Sequence, residues 1–368
     1  MSFRNGDAEY PSLTANEGKR LIDLLEKDHG LPKDKMAMLI RSNGPELRNY
    51  ARIKARVLGD QHYGKRIFVR GLIEFTNYCK NDCYYCGIRC SNEKAERYRL
   101  SKEDIMSCCE EGRRLGFRTF VLQGGEDPYY TDDYLVEIIR QIRAAHPDCA
   151  ITLSIGERER RSYERFWEAG AERYLLRHET AAEAHYQILH PPGLSLECRK
   201  KCLYTLKDIG YQTGCGFMVG SPGQTAEHLA EDFQFIRELH PEMVGIGPFI
   251  PHRDTPFSKE AQGSMELTLY LLSLLRIQQP DLLLPATTAL ATIHPRGREL
   301  GIEAGANVVM PNLSPVSVRR KYVLYDGKVC TGEEAAECRS CLERRIESVG
   351  YRIVVSRGDH CCTKIMKA

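Results

Sequence analysis

The feature that most constrains the fold is an alternation of short apolar runs with amphipathic helical segments, which begins near residue 67. Eight runs rich in β-branched and aromatic residues alternate with segments of helical periodicity. The runs are IFVRGLIEF, TFVLQGG, AITLSIG, RYLLRHE, QTGCGFMVG, MVGIGPFI, LLLPATT and NVVMPN. Their number and spacing predict an α/β protein with a full (β/α)8 barrel of the TIM type. A doubly wound open sheet is the alternative, but it rarely needs eight successive units.

The segments on either side of the repeat differ from it. Residues 1–66 carry apolar side chains at helical spacing, as in PELRNYARIKARVLGDQHYG, and predict an N-terminal helical segment. Residues 67–320 are the predicted barrel. Residues 321–368 lie outside the repeat and form a C-terminal tail with cysteines of its own.

Composition excludes several classes of protein. The net charge is +2, so neither nucleic acid nor an anionic membrane is an expected partner. No apolar run approaches the roughly 20 residues of a membrane span, and the first residues lack the apolar core of a signal peptide. We therefore expect a cytoplasmic protein whose 15 cysteines are not structural disulfides. Five are expected to be core residues: Cys108, Cys109, Cys149, Cys202 and Cys215.

Three cysteines cluster in FTNYCKNDCYYCGIRC, where Cys79, Cys83 and Cys86 form a C-x3-C-x2-C pattern. The first predicted strand ends just before them, so they lie at the end of the barrel that carries active sites. A zinc site would need a fourth ligand, for which Cys90 is the candidate. Free thiols on a loop would be open to oxidation. The third alternative is a [4Fe–4S] cluster held by three thiolates, which leaves one iron open to a small ligand.

This triplet after the first strand of a β/α barrel resembles the radical S-adenosylmethionine (SAM) superfamily. The resemblance implies that SAM binds the open iron and that one electron from the cluster yields a 5′-deoxyadenosyl radical. Six further strings, in this order, resemble the HydE family of [FeFe]-hydrogenase maturases. They are VLQGGEDPYY, RYLLRHET, MVGSPGQT, MVGIGPFIPH, PATTAL and GANVVMPN. The resemblance spans about residues 65–345, and biotin synthase and methylornithine synthase (PylB) are more distant relatives.

Further candidate site residues come from the loop of the triplet and from the turn after the second strand. Tyr85 can shield the cluster and meet a flat base. In the string QGGE, Gly124 and Gly125 allow close approach of the backbone to a ligand, and Gln123 and Glu126 can accept from the methionine ammonium of SAM. A tight β–α turn is the alternative explanation of this string.

Arg177, His178 and Glu179 follow the fourth predicted strand, and all three are expected to point into the barrel mouth. The resemblance assigns Glu179 to SAM and Arg177 to an anionic group of the substrate. It also matches Arg199 to the arginine that pairs with the SAM carboxylate. An ordinary surface ion pair is the alternative for Arg199, because two lysines follow it in the sequence.

Thr287 and Thr288 end the seventh predicted strand, where two hydroxyls can bind an anion or a carboxylate. β-Propensity alone is the alternative explanation. The resemblance places Met243 at the adenosyl group, Met310 in the cavity wall and Tyr322 over the cavity. Three histidines are candidate acid–base groups, although radical abstraction needs none: His178, His252 and His294.

The tail string CTGEEAAECRSC contains Cys330, Cys338 and Cys341 in an iron–sulfur type of spacing. The resemblance implies an auxiliary [2Fe–2S] or [4Fe–4S] cluster, which some HydE proteins carry and which is remote from the radical chemistry. A second group in the tail has no family counterpart and is a metal-binding candidate: His360, Cys361 and Cys362.

Together these features predict a radical SAM enzyme in assembly of the hydrogenase H-cluster. The resemblance implies a small organometallic substrate, an iron with cysteine, carbon monoxide and cyanide ligands, made by the maturase HydG. The product would pass to the scaffold HydF, and a low-potential donor such as ferredoxin or flavodoxin would supply electrons. The alternatives are an amino-acid mutase like methylornithine synthase and a non-enzymatic iron–sulfur carrier, which would need no closed cavity.

Overall fold

Three helices precede the barrel and pack on its outer surface. The computed structural model describes residues 13–329, 336 and 338–362, and begins with α1 (Ala15–Asp28), α2 (Lys33–Arg41) and α3 (Pro45–Tyr63). Thr14 and Glu17 form a capping box at the start of α1, which satisfies amide groups that the helix leaves unpaired. Helix α3 begins with a proline, where no amide hydrogen is required.

The strands follow the apolar runs of the sequence. They are β1 (Arg66–Val69), β2 (Gly71–Thr76), β3 (Thr119–Gly124), β4 (Ala150–Ser154), β5 (Arg173–Leu175), β6 (Gln212–Cys215), β7 (Met218–Val219), β8 (Met243–Val244), β9 (Gly247–Pro248), β10 (Val308–Val309) and β11 (Arg352–Val354). Six form one parallel sheet in the order β2–β3–β4–β5–β6–β8, and β7 pairs with β9.

The parallel pairing returns to the first strand. Met243 at the edge of the sheet forms a parallel bridge with Leu283, and Pro285 forms another with Val308. Strand β10 then pairs with β1, which continues into β2 after one residue. The chain therefore forms the predicted eight-membered β/α barrel. The run LLLPATT contributes to the ring through single bridges instead of a regular strand.

Helices cover the barrel on the outside. They are α4 (Lys102–Arg114), α5 (Asp132–Ala145), α6 (Arg160–Ala169), α7 (Glu183–Leu189), α8 (Leu196–Ile209), α9 (Ala226–Leu239), α10 (Met265–Gln278), α11 (Thr288–Ile293), α12 (Gly297–Glu303), α13 (Val316–Arg319) and α14 (Arg339–Glu347). Helix α10 is buried on almost every face because α3 covers its outer side. All five cysteines predicted to be core residues are buried. Within the described ranges no helix has the length and apolar character of a membrane span.

The tail closes the end of the barrel at which the strands begin, which we call the floor. Strand β11 pairs in parallel with β1. The carbonyl of Arg357 then accepts hydrogen bonds from Thr119 Oγ1 and Arg173 Nη2, both at 2.7 Å. Asp359 Oδ1 lies 2.8 Å from Arg173 Nη2 and accepts from Gln212 Nε2 at 3.1 Å. Because these partners are the first residues of β3, β5 and β6, the tail covers the floor.

Candidate active site

The cysteine triplet lies on a long loop between β2 and α4 that its own polar contacts hold in place. Asn77 donates to the carbonyls of Glu96 and Lys321, and its Oδ1 accepts from the amide of Tyr98 at 2.8 Å. Arg97 donates to four main-chain carbonyls of the same loop. These polar contacts give the loop a defined shape.

The three thiols are half-buried, whereas Cys90 is exposed. Burial raises the pKa of all three, to about 12 for Cys83. Such thiols remain protonated at neutral pH unless a metal centre supplies positive charge. In the absence of a metal these cysteines are therefore not reactive free thiolates.

The spacing of the sulfur atoms distinguishes between the metal alternatives. Among the described residues, two groups of donor atoms lie within 4.8 Å of one another, and neither includes the triplet. Zinc, with bonds of about 2.3 Å to sulfur, would bring ligand sulfurs to about 3.8 Å from each other in a tetrahedron. The triplet is therefore not arranged as a tetrahedral zinc site, and the exposed Cys90 makes a poor fourth ligand.

The glycine turn after β3 packs directly on the backbone that carries the first cysteine. A Cβ atom at Gly125 would lie 2.1 Å from the carbonyl oxygen of Tyr78 and 2.8 Å from Cys79 Cβ. The carbonyl of Glu126 also accepts from the amide of Lys80 at 2.9 Å. Gly125 is therefore required for packing of the turn against the cysteine loop, and a ligand need not be invoked for it.

The two polar side chains of this turn face other parts of the site. Gln123 Nε2 lies 3.4 Å from the hydroxyl of the buried Tyr322. Glu126 Oε1 accepts from the amide of Glu157 at 3.1 Å, and its Oε2 is 3.3 Å from Lys80 Nζ. Their predicted contacts with the methionine part of SAM, and that of Gly124, remain predictions.

Tyr322 is held by a buried ion pair inside the barrel. Lys328 from the tail pairs with Glu74 of β2, and these side chains are 7% and 1% exposed. Lys328 Nζ also donates to the carbonyl of Tyr322 at 2.9 Å and lies 4.7 Å from the centre of its ring. Asn312 Nδ2 donates to the other oxygen of Glu74 at 2.8 Å. Sequence reasoning missed this network because its members lie far apart in the chain.

Glu179 has a strained backbone. Its φ is 65°, and the other two described non-glycine residues with positive φ, His29 and His240, end helices, where this conformation is common. Such a conformation costs about 1–3 kcal/mol and is concentrated at functional sites. Glu179 Oε2 lies 3.1 Å from Arg177 Nη2. Neither atom makes a well-directed hydrogen bond within the described protein, so both remain able to bind a ligand.

His178 points away from the barrel mouth, so the expectation that it faces inward is wrong. Its Nε2 lies 3.2 Å from Asp232 Oδ1 on α9, and Nδ1 accepts from the amide of Gly216 at 3.3 Å. Successive residues of an extended chain face opposite sides, so His178 must face out when its neighbours face in. The other two candidate histidines accept main-chain hydrogen bonds through Nδ1: His252 and His294.

Arg199 and Tyr85 both lie close enough to Cys83 to act on its thiol. Arg199 forms an ion pair with Glu157 at 2.7 Å and is buried, so the surface-pair alternative does not describe it. The Tyr85 hydroxyl lies 3.3 Å from His190 Nε2, and burial raises the pKa of this tyrosine. Apolar side chains surround the Tyr85 ring: Leu189, Met218, Phe249 and Phe257.

Thr287 presents an unused hydroxyl at the barrel mouth. It precedes α11 as the N-cap residue, yet its buried Oγ1 makes no hydrogen bond within the described protein. A Cβ at Gly247 of β9 would lie 2.9 Å from this oxygen. Thr288 is the first residue of α11. The free hydroxyl agrees with the predicted anion-binding role without testing it.

Arg70 is a residue that sequence reasoning missed. It lies between β1 and β2 and is 5% exposed. Its Nη1 donates to Met243 Sδ at 2.8 Å. Since β2 and β8 are not neighbours in the sheet, this contact crosses the barrel interior. Its Nε and Nη2 atoms have no hydrogen-bond partner. Burial and the nearby Arg173 lower its pKa. An arginine within the apolar run IFVRGLIEF was the available signal.

Met243 and Met310 lie together in the barrel. They belong to an apolar cluster with Leu283 and Val308, and Met243 begins the short strand β8. Their predicted roles, Met243 beside the adenosyl group and Met310 in the cavity wall, remain predictions.

The tail cysteines are partly outside the described residues. Cys338 and Cys341, at the start of α14, are joined as a disulfide in the structure, against the expectation that none would be. The C-x2-C spacing at a helix start brings two sulfur atoms together, as it would for a metal. Cys330 lies outside the described residues, so the auxiliary cluster remains a prediction.

A β/α barrel with three cysteines on the loop after its second strand, β2, has the fold and cysteine arrangement of a radical SAM enzyme. The family model of the Radical SAM superfamily matches residues 73–236. The [FeFe] hydrogenase maturase subunit HydE of Thermotoga maritima is 47% identical over 79% of this chain and 83% of its own length. The chain belongs to the HydE family of radical SAM maturases, and the predicted resemblance is confirmed.

More distant relatives have the same barrel. A 3-methylornithine synthase of Methanosarcina acetivorans is 30% identical over 80% of this chain and 83% of its own length. The crystal structure of methylornithine synthase (PylB) superposes with a TM-score of 0.80 at 28% identity, covering 91% of this chain and 97% of that chain. Biotin synthases also match. These relatives confirm the predicted fold class.

The superfamily implies a [4Fe–4S] cluster and SAM, and the residues present fit both. The three half-buried cysteines, whose pKa values burial raises, offer the donor set for the cluster. Buried polar atoms of Glu179 and Arg177 lack hydrogen-bond partners beside them.

Proposed function

We propose that this radical SAM enzyme of [FeFe]-hydrogenase maturation acts on a small anionic organometallic substrate inside the barrel. The observation that carries the proposal is the buried guanidinium of Arg70, which crosses the barrel interior with two atoms unpartnered. The nearby Asp359 favours the charged form of Arg70 but forms its ion pairs with Arg173 and Arg357, so an anionic ligand is the expected partner of the two free atoms. An iron complex with cysteine carboxylate and cyanide ligands has this character.

The residues at the mouth complete the substrate site. Arg177 offers a planar fork suited to a carboxylate, and Thr287 and Thr288 add hydroxyl groups at the opposite side of the barrel. Arg70 lies deeper, so a substrate with anionic groups at both ends would be held at two points. The tail that covers the floor and the ion pair of Glu74 with Lys328 exclude water from the interior.

Cys79, Cys83 and Cys86 would hold the cluster, and Glu179, Arg199 and Tyr85 would contact SAM. Bound together, the cluster and SAM supply a 5′-deoxyadenosyl radical by one-electron cleavage. The role of the surrounding side chains is to orient the substrate and to keep the cavity free of water. Burial raises the pKa of Glu179 against the opposing effect of Arg177 and Arg199, and a cationic ligand would favour its charged form further.

The proposed partners follow from the relationship to HydE. HydG would supply the substrate, HydF would receive the product, and ferredoxin or flavodoxin would deliver electrons in the cytoplasm. We further propose that Cys338 and Cys341, with Cys330, hold an auxiliary [2Fe–2S] or [4Fe–4S] cluster that maturation does not require.

A mutase acting on an amino acid is the second candidate, because the methylornithine synthase structure superposes over nearly its whole length. An amino acid would also place a carboxylate against Arg177. The higher identity to HydE favours maturation.

The test is complementation of a cell that lacks HydE, read as hydrogenase activity. The wild-type chain should restore activity, whereas the Arg177→Lys variant should bind SAM normally but mature hydrogenase poorly, because lysine lacks the planar fork. Failure of the wild-type chain to restore activity, with production of methylornithine in its place, would establish the mutase. SAM binding is followed in parallel by electron paramagnetic resonance of the reduced cluster.

A further inference from the structure

We infer that Asp281, His360, Cys361 and Cys362 form a binding site for a zinc-class divalent cation that fastens the tail to the barrel floor. These four residues offer one carboxylate, one imidazole and two thiols within 4.8 Å of one another. The site lies at the floor, away from the triplet, and its function is independent of the radical chemistry.

The ligand set comes from two distant parts of the chain. Asp281 lies in the turn between α10 and the barrel segment at Leu283, whereas the other three residues follow β11. Two soft thiolates, an imidazole and a carboxylate are the donors that zinc prefers, and calcium or magnesium would not choose them. The chemistry of the set therefore selects a borderline cation.

Three of the six separations between the donor atoms match those of a tetrahedral zinc site. Zinc bonds of about 2.3 Å to sulfur and about 2.0–2.1 Å to nitrogen or oxygen give edges of about 3.8 Å between sulfurs, about 3.6 Å from sulfur to oxygen and about 3.3 Å from nitrogen to oxygen. The sulfurs of Cys361 and Cys362 are 3.9 Å apart. Cys362 Sγ lies 3.7 Å from Asp281 Oδ2, and His360 Nε2 lies 3.4 Å from the same oxygen.

A buried nitrogen that makes no well-directed hydrogen bond also supports the site. His360 is 5% exposed, and its Nε2 makes no hydrogen bond of acceptable geometry within the described protein. The two thiols are exposed and are not joined to each other. A cation would enter from the solvent side and reach the buried imidazole last.

The residues around the set hold it in position. The buried Arg276 donates to the carbonyls of Pro280 at 2.8 Å and Leu282 at 2.7 Å, on either side of Asp281. The Tyr63 hydroxyl donates to the carbonyl of Asp281 itself. Such contacts fix the orientation of a ligand before the metal arrives.

The amide of His360 connects the site to the floor. It donates to Gln212 Oε1 at 3.1 Å, and Gln212 Nε2 donates to Asp359, which pairs with Arg173. A cation bound to the four residues would therefore lock the segment that closes the barrel. Loss of the cation should loosen the floor without removing the cluster ligands.

The test uses the anaerobically reconstituted enzyme, in which an iron–sulfur cluster occupies the triplet. The probe is Zn²⁺. Zinc content and the zinc K-edge absorption spectrum are measured after excess metal is removed; iron–sulfur clusters do not contribute at this edge. We expect a zinc ion with two sulfur and two nitrogen or oxygen neighbours. The Cys361→Ser/Cys362→Ser variant should lose one equivalent of zinc relative to the wild type.

A matched control is Cys198→Ser, which removes an exposed thiol from the other donor group, Glu157, Cys198 and Cys202. This variant should keep the zinc. Zinc should also slow hydrogen exchange of the β11 amides in the wild type and not in the tail variant. Equal zinc content in wild type and tail variant would overturn the proposal, as would a zinc spectrum without sulfur neighbours or loss of zinc in Cys198→Ser alone.

Discussion

Replacement of Asp359 by asparagine should release the floor of the barrel. The carboxylate lies 2.8 Å from Arg173 Nη2, and the Arg173 side chain is fully buried. Its other oxygen accepts from Arg357 at 3.1 Å. Although burial acts in the opposite direction, these two cations lower the pKa of Asp359 from 3.8 to about 2. Asparagine has the shape of aspartate but no charge, so the Arg173 guanidinium loses its counter-charge.

The pKa shift sets the size of the effect. A depression from 3.8 to about 2 corresponds to about 2 kcal/mol of stability. Because the folded pKa is the lower one, this contribution is present above about pH 4 and is lost as the pH falls toward 2. An uncompensated buried charge costs about 3–5 kcal/mol, so Asp359→Asn should lower the free energy of unfolding by about 2–4 kcal/mol at pH 7.

The assay is urea unfolding of the reduced apoprotein, followed by circular dichroism, with hydrogen exchange of β11 as a local readout. A suitable control is Asp326→Asn, because the 3.0 Å pair of Asp326 with Arg253 is mostly solvent-exposed and should contribute less than about 1 kcal/mol. The difference between wild type and Asp359→Asn should shrink as the pH falls below 4. If Asp359→Asn lowers the free energy of unfolding by no more than Asp326→Asn does, the tail does not hold the floor through this ion pair.

Four further changes test the site. Cys86→Ala should abolish cleavage of SAM to 5′-deoxyadenosine after anaerobic reconstitution, whereas Cys90→Ala should cleave at the wild-type rate; equal rates would refute the cluster assignment. Arg70→Met should keep SAM cleavage but reduce substrate affinity about tenfold or more, through loss of about 1.5–3 kcal/mol, and unchanged maturation would exclude this contact. Thr287→Val should lower the affinity for the substrate about fivefold and leave the affinity for SAM unaltered, as measured by titration of turnover. Cys338→Ala should lower the iron content and leave hydrogenase maturation intact; a complete loss of maturation would contradict a dispensable tail cluster.

The strands and most helices could be predicted because each depends on a local pattern. The run TFVLQGG became β3 with Gln123 near its carboxyl end, and the apolar side chains of α5 repeat at helical spacing. The position of the triplet after the first strand followed from the same pattern. Barrel geometry then determines that residues ending different strands meet at one mouth.

Features that depend on distant contacts could not be predicted. Periodicity shows that His178 and Glu179 follow a strand, but not which of them faces inward, because the positive φ of Glu179 breaks the extended alternation. Neither the contact of Arg70 across the barrel nor the pairing of Arg173 with Asp359 has any local signature. The same holds for Asp281 and the tail cysteines, which only the fold brings together.

The pairing of β11 with β1 has a consequence for the order of assembly during synthesis. Residues 66–68 leave the ribosome early, yet their partners at 352–354 emerge only after every other strand. Contacts between such remote segments form late, and the open edge of β1 stays exposed until then. The nascent chain can thus complete its mouth before its floor. A chaperone or an iron–sulfur assembly factor acting on the growing polypeptide would meet a barrel whose floor is still open.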